Sequence, residues 1–104
     1  MIKAAFRFVD GHIEGFTLRG HADMGTAGHD ILCAGVSSAA YMTANTLTEI
    51  CGAKADIRTD DGMMSLTLAE TDETIQKILE GFLLHMTELQ EQYPTRIQVL
   101  KTEV

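Results

Sequence analysis

A chain of 104 residues is long enough for one domain with a single hydrophobic core and too short for two. Eight Lys and Arg residues against fifteen Asp and Glu residues give a net charge of −7, which argues against direct nucleic-acid binding and favours a basic partner or peptide. The two cysteines exclude a disulfide framework and suit a reducing cytoplasm.

Two stretches could be mistaken for targeting or membrane segments, and neither has the required composition. The first nine residues alternate and include Arg7, unlike the continuous apolar core of a signal peptide. Residues 31–48 carry no formal charge, but their hydroxyl and amide side chains make them too polar to span a bilayer. We therefore expect a cytoplasmic protein.

The first two elements are predicted to be strands joined by a tight turn. Apolar residues alternate over residues 2–9, Asp10-Gly11 has the chemistry of a hairpin turn, and residues 12–19 form the returning strand. The apolar phase of the second strand slips near Gly15, which predicts a bulge there.

The third element is a helix expected over residues 31–50, and the segment before it carries the strongest candidate chemistry. His21 follows the second strand and so lies at the rim of the predicted sheet. Asp30 fits the N-cap of the helix, and Cys33 falls in its first turn. Unpaired amides and the helix dipole favour a thiolate at that position, and the thiolate is the nucleophilic form.

The rest of this helix makes further predictions. Ser37 lies one turn after Cys33 on the same face. Gly35 in the helix interior predicts a close backbone approach behind the nucleophile. The helix is expected to end at Cys51-Gly52, with glycine as the C-cap and the cysteine as inert core at the negative end of the dipole.

The second half of the chain repeats the strand–strand–helix order and adds a strand. The predicted elements are a strand over residues 54–59, a turn at Asp61-Gly62, a strand over 63–68, an amphipathic helix that begins after Thr71 or Asp72 and stops before Pro94, and a strand over 96–101. The order ββαββαβ predicts a single α+β domain over residues 1–104, with two helices packed on a largely antiparallel sheet.

Two histidines are candidates for the base that would activate the Cys33 thiol, because histidine titrates near neutrality. His21 and His29 flank the same loop, and His21 is held by the end of a strand. His12 lies beside a turn and His85 on the polar side of the second helix, so both are expected at the surface.

A metal centre is the chemical alternative to a thiol–imidazole pair. The zinc-ligand types in this stretch are His21, Asp23, His29, Asp30 and Cys33. Their spacing matches no familiar short zinc pattern, and a thiol at a helix N-terminus ionises without a metal. We therefore expect no metal and no cofactor, with a zinc-binding domain as the less favoured alternative.

The same stretch resembles a family of thiol proteases. The resemblance is carried by Gly20-His21-Ala22, a glycine-containing loop, and Gly28-x-Asp30-Ile31-Leu32-Cys33-Ala34-Gly35-Val36-Ser37. This pattern closely resembles the ribosomal-processing cysteine proteases known as Prp, and the length, element order and acidity extend the resemblance to the whole chain.

The resemblance implies a bacterial, homodimeric cysteine endopeptidase that removes the N-terminal extension of a large-subunit ribosomal protein. The implied site residues are His21 and Cys33 as the catalytic pair, Asp30 and Ser37 in support, and Gly25 and Gly28 in a flexible loop that covers the site. The second helix favours the homodimer as well, because Leu83 and Leu84 widen its apolar stripe.

Two questions remain open at the level of sequence. Asp30 could cap the helix or hydrogen-bond His21 and fix its tautomer, and amides at the helix start could hold the oxyanion. The alternative function is a non-catalytic ribosome-associated binding module, in which Cys33 is merely packed in the helix.

Overall fold

The computed structural model describes residues 1–21 and 31–104. Their elements are, in chain order, β1 (Ile2–Val9), β2 (His12–Arg19), α1 (Ile31–Asn45) with a π-helical segment (Thr46–Ile50), β3 (Ala55–Asp60), β4 (Met63–Leu68), α2 (Glu73–Gln92) and β5 (Ile97–Glu103). The predicted order ββαββαβ is confirmed, and element boundaries differ from the predicted ones by one or two residues in β3 and β5.

The five strands form one mixed sheet in the order β3-β4-β2-β1-β5. The pairs β1–β2, β2–β4 and β3–β4 are antiparallel, and only β1–β5 is parallel. The predicted largely antiparallel α+β sheet is therefore confirmed. Each ββα unit contributes one hairpin, and β2 and β4 join the two hairpins at the middle of the sheet.

Both helices share one hydrophobic core with the inward face of the sheet. The period-two alternation in β1 and β4 sends every second side chain into that core, as in β1, where Ile2, Ala4 and Phe6 are buried. Three aromatic rings form its centre: Phe16 lies 4.8 Å from Phe82 and 6.1 Å from Phe6, measured between ring centroids. α2 contributes its predicted apolar stripe, and Asp72 caps it by accepting a hydrogen bond from the Ile75 amide at 2.8 Å.

The predicted bulge in β2 is confirmed, and a buried glutamine completes it. Arg7 pairs with Gly15 and Phe8 with Ile13, so Glu14 is the extra residue. The Gln76 side chain of α2 accepts from the Ile13 amide and donates to the Ile13 carbonyl, both at 2.8 Å. Gln76 therefore supplies hydrogen bonds to buried backbone groups and ties the first hairpin to α2.

We expect Gln76→Ala to lower the free energy of unfolding by about 2–3 kcal/mol, because a buried donor and a buried acceptor at Ile13 both lose their partner. Urea denaturation measures the change. Gln98→Ala is the control, since Gln98 is exposed on β5 and should change stability by less than about 0.5 kcal/mol. Equal stability of the two variants would contradict the role of Gln76.

The end of the first helix differs from the prediction of regular α-helix through residue 50. Residues 46–50 form a π-helical segment, in which the Cys51 amide donates to the Thr46 carbonyl at 2.9 Å. Within it, the Thr46 and Thr48 hydroxyls donate to the Met42 and Ala44 carbonyls of the preceding turn at 2.7 and 3.1 Å. Such bonds from threonine hydroxyls compete with the backbone ladder and can bend a helix.

Gly52 follows this segment with φ +67°, so the predicted glycine stop is confirmed. In the described residues, no helix is long and apolar enough to cross a membrane.

Candidate active site

The end of β2 is held against two other segments at Gly20. Its amide donates to the Gly62 carbonyl at 2.9 Å, which joins it to the turn between β3 and β4. Gly20 has φ +95°, and a Cβ atom placed there would collide with the backbone carbonyl of Met1. Glycine is therefore required by both the positive φ and the close approach of Met1, the residue before β1.

His21 projects from this point over the turn between β3 and β4. The residue is exposed, and its imidazole ring lies against Gly62. A Cβ atom built on Gly62 would lie 3.1 Å from Nε2 of the ring. The sheet thus places the predicted base at its rim, beside the turn at Asp61-Gly62.

Cys33, Ser37 and Tyr41 form one stripe along α1, as their spacing predicts. Cys33 is half-buried against the core, whereas Ser37 and Tyr41 are exposed. The neighbouring stripe of α1, which includes Leu32 and Val36, is buried and anchors the helix on the sheet. The packing of the buried stripe with Leu32 and Val36 fixes the rotation of α1, and with it the side of the helix on which Cys33 lies.

His21 and Cys33 line the same cavity, which has a volume of about 300 Å³. Its polar lining comes from Arg19, His21, Cys33, Ser37, Tyr41 and Asp60, and its apolar lining includes Ile2, Leu18, Val36, Ala40, Met63 and Met64. A cleft that combines apolar walls with a few converging polar groups is suited to binding a peptide segment. A base and a thiol at one cleft can perform nucleophilic acyl transfer.

Several predicted site residues lie outside the described residues. They are Asp23, Gly25, Gly28, His29 and Asp30, together with the rest of the loop at 22–30. The flexible loop and the choice between the two roles of Asp30 therefore stay predictions.

The remaining sequence-based expectations have mixed outcomes. His12 and His85 are exposed, as expected. Cys51 is half-buried and packs against the core, which agrees with its predicted structural role. The expected close approach at Gly35 is wrong within the described part of the chain: the residue is exposed, and an added Cβ atom would meet nothing within 4 Å.

Sequence reasoning missed the contribution of the second hairpin to this site. Asp60, Gly62 and Met63 line the cavity, although they lie about forty residues from His21 in the chain. The Asp61-Gly62 signal indicated a turn, but no local pattern indicated that β4 pairs with β2 and brings this turn to the base.

Over residues 1–21 and 31–104, no three His, Cys, Asp or Glu side chains cluster in a way that could hold a metal ion. Both cysteines are thiols, with no disulfide between them. We expect a chelator to leave both the melting temperature and the activity unchanged, because a thiol–imidazole pair needs no metal, whereas removing structural zinc unfolds small domains. Thermal denaturation and peptide cleavage with and without EDTA test this; activity lost to EDTA and restored by zinc would contradict it.

Comparison with known proteins places this geometry in context. Residues 1–98 match the family model described as cysteine protease Prp. The ribosomal processing cysteine protease Prp of Staphylococcus aureus strain Mu50 / ATCC 700699 is 30% identical over 93 residues, which are 86% of this chain and 88% of that protein.

Two solved structures share the fold over nearly the whole chain. The essential ribosomal processing protease Prp from S. aureus, in complex with a covalently linked product peptide, has a TM-score of 0.93 and 28% identity, over 98% of this chain and all of that one. SMU.848 from Streptococcus mutans has a TM-score of 0.89 and 32% identity, over all of this chain and 96% of that one.

Proposed function

Because the chain belongs to the Prp family of cysteine proteases, we propose that it removes the N-terminal extension of a large-subunit ribosomal protein during ribosome assembly, with His21 and Cys33 as its catalytic pair. One observation supports the pair above all others: His21 and Cys33 line a single cavity large enough for several peptide atoms.

The two side chains suffice for peptide hydrolysis. His21 accepts the proton of the Cys33 thiol, and the thiolate attacks the scissile carbonyl carbon to form a C–S bond. The C–N bond then breaks, and the amine leaves with the proton from His21. Water, deprotonated by His21, attacks the thioester, so the C–S bond breaks and the carboxylate product is released. No cofactor takes part in these steps.

Groups at the start of α1 support the reaction. Backbone amides there are the proposed oxyanion donors, and one such donor contributes about 3–4 kcal/mol in studied hydrolases. Ser37, one turn along the stripe from Cys33, adds a hydroxyl at the cavity wall. Asp30 is proposed to support the pair as the helix cap or as the hydrogen-bond partner of His21.

Two observations support a ribosomal protein as the substrate. The S. aureus relative is named for ribosomal processing, and its structure contains a covalently linked product peptide. Ribosomal proteins are basic because they bind RNA, and a chain with a net charge of −7 attracts a basic substrate. The cavity would hold the extension next to the scissile bond.

The direct test is to incubate the purified protein with an extended large-subunit ribosomal protein and to map the new N-terminus by mass spectrometry. We expect one cut that removes the extension. In a second experiment the protein is treated with iodoacetamide at a pH below the usual thiol pKa. We expect Cys33 to be alkylated before Cys51, and the activity to fall in proportion to the fraction of Cys33 that is alkylated. An intact substrate, together with equal and slow labelling of both cysteines, would favour a non-catalytic binding module instead.

We further propose that the protein works in the cytoplasm as a homodimer. Large apolar side chains are exposed on both helices: Tyr41 and Met42 on α1 are 51% and 73% exposed, and Leu84 on α2 is 59% exposed. A second copy would bury such side chains.

We expect sedimentation at micromolar concentration to give the mass of two chains, because burial of these side chains stabilises the association. Leu84→Glu should shift the equilibrium towards the monomer, and Glu80→Gln, an exposed change on the same helix, should not. A monomer at micromolar concentration for the unmodified protein would reject the dimer.

A further inference from the structure

We infer that Gly62, in the turn between β3 and β4, is a positioning residue for the catalytic imidazole. Its role rests on the proposed function, because it acts through His21. Gly62 would set where the ring stands at the mouth of the cavity, and it would take no part in proton transfer.

The first supporting observation is the contact between the turn and the ring. A Cβ atom at Gly62 would lie 3.1 Å from Nε2, 3.6 Å from Cε1 and 3.8 Å from Cδ2 of His21. These three atoms form the outer edge of the imidazole, so the backbone of the turn lies beside Nε2, one of the two ring nitrogens that can carry a proton. His21 is exposed, and among the residues that the structure describes this turn lies beside its ring.

The second observation is that the turn is attached to the strand that carries the base. The Gly20 amide donates to the Gly62 carbonyl at 2.9 Å, and this bond continues the β2–β4 ladder, in which Arg19 pairs with Met63. The residue before the base and the residue against its ring are therefore joined directly. The strand end and the turn act as one rigid support for His21.

The third observation explains why this support needs a glycine. Gly62 has φ +66°, a left-handed conformation that side chains adopt rarely. Optimal separations between non-bonded carbon atoms are about 3.5–4.0 Å, so a Cβ atom only 3.1 Å from Nε2 would push the ring outward by a few tenths of an ångström. A misplacement of 1 Å can cost about a hundredfold in rate, so a smaller shift should cost roughly five- to twentyfold.

The chain contains a matched control for this substitution. Gly11 follows Asp10 in the β1–β2 hairpin just as Gly62 follows Asp61 in the β3–β4 hairpin. Its φ is +78°, so alanine stands at a positive φ in both variants. A Cβ atom at Gly11, however, meets nothing within 4 Å. The two variants therefore differ in the contact with the imidazole.

The experiment compares Gly62→Ala with Gly11→Ala by kinetics and by NMR. We expect both variants to lose a few degrees of melting temperature, and only Gly62→Ala to lose kcat, by roughly five- to twentyfold with KM within about twofold. The Hε1 resonance of His21 should move in Gly62→Ala alone. Alkylation of Cys33 by iodoacetamide should slow in that variant alone, which reports the thiol–imidazole pair without substrate.

Asparagine at each position repeats the comparison with less backbone strain, since asparagine tolerates positive φ but still carries a Cβ atom. This pair keeps the test decisive if Gly62→Ala folds poorly. Equal kcat, equal alkylation rates and an unmoved His21 resonance in the two asparagine variants would overturn the positioning role. His21→Ala distinguishes a failure of the proposed catalytic pair from a failure of the positioning role. If His21→Ala retains turnover, the catalytic pair is wrong. If it is inactive, the comparison of the glycine variants tests the role of Gly62 alone.

Discussion

Cys33→Ala and His21→Ala are each expected to lower kcat/KM for peptide cleavage by at least about four orders of magnitude. Without the thiol no acyl-enzyme forms, and without the imidazole neither the thiol nor the leaving amine exchanges its proton at the right moment. Binding and oxyanion stabilisation alone leave a residual rate enhancement of about 10³–10⁴ over water in a studied triad protease. Progress curves with an extended ribosomal protein measure the loss.

The fold should survive both changes. His21 is exposed and Cys33 only half-buried, so neither substitution opens a large cavity in the core. Cys51→Ala is the matched control, because Cys51 is half-buried to a similar degree at the far end of the helix. It should retain turnover within about twofold. Substantial turnover by Cys33→Ala would end the thiol mechanism.

Gly20→Ala is expected to cost about 3–4 kcal/mol of folding free energy, the largest effect on stability among the changes considered. Alanine is strained at φ +95°, which contributes about 1–3 kcal/mol, and the new Cβ atom would overlap the Met1 carbonyl. In a domain of this size such a loss lowers the melting temperature by roughly 15–25 °C. Calorimetry measures it directly.

Gly11→Ala separates strain from collision in that experiment. Gly11 has a similar positive φ of +78°, but a Cβ atom added there would meet no atom within 4 Å. The substitution should therefore cost only about 1 kcal/mol of folding free energy. If Gly20→Ala were no less stable than Gly11→Ala, the close approach of Met1 to Gly20 would not contribute to the loss of stability.

Features that depend on neighbouring residues were predictable from sequence. The alternation of apolar and polar residues predicted β1 and β4, and the Asp-Gly pairs predicted both hairpin turns. The shift in this alternation near Gly15 predicted the bulge. His21 and Cys33 were candidates because one ends a strand and the other begins a helix, and both border the cavity. In each case a few consecutive residues determine the backbone conformation.

Features that depend on distant segments were not predictable in this way. Nothing local specifies that β5 pairs in parallel with β1, or that Gly62 lies against His21. Gly35 shows the converse error, because a glycine in a helix predicted a close contact that the described neighbours do not make. The π-helical segment at residues 46–50 was not predicted either, because helix propensity scales do not distinguish a π-helical turn from an α-helical one.

The parallel pairing of β1 with β5 has a consequence for how the enzyme is made. Ile2 lines the candidate active-site cavity, and its pairing partner Ile97 is translated about ninety-five residues later. At about 5–20 residues per second, β1 waits roughly 5–20 s with one edge open before β5 can close it. The strand that carries Ile2 therefore gains its second hydrogen-bonded neighbour only once β5 has been synthesised, after both helices.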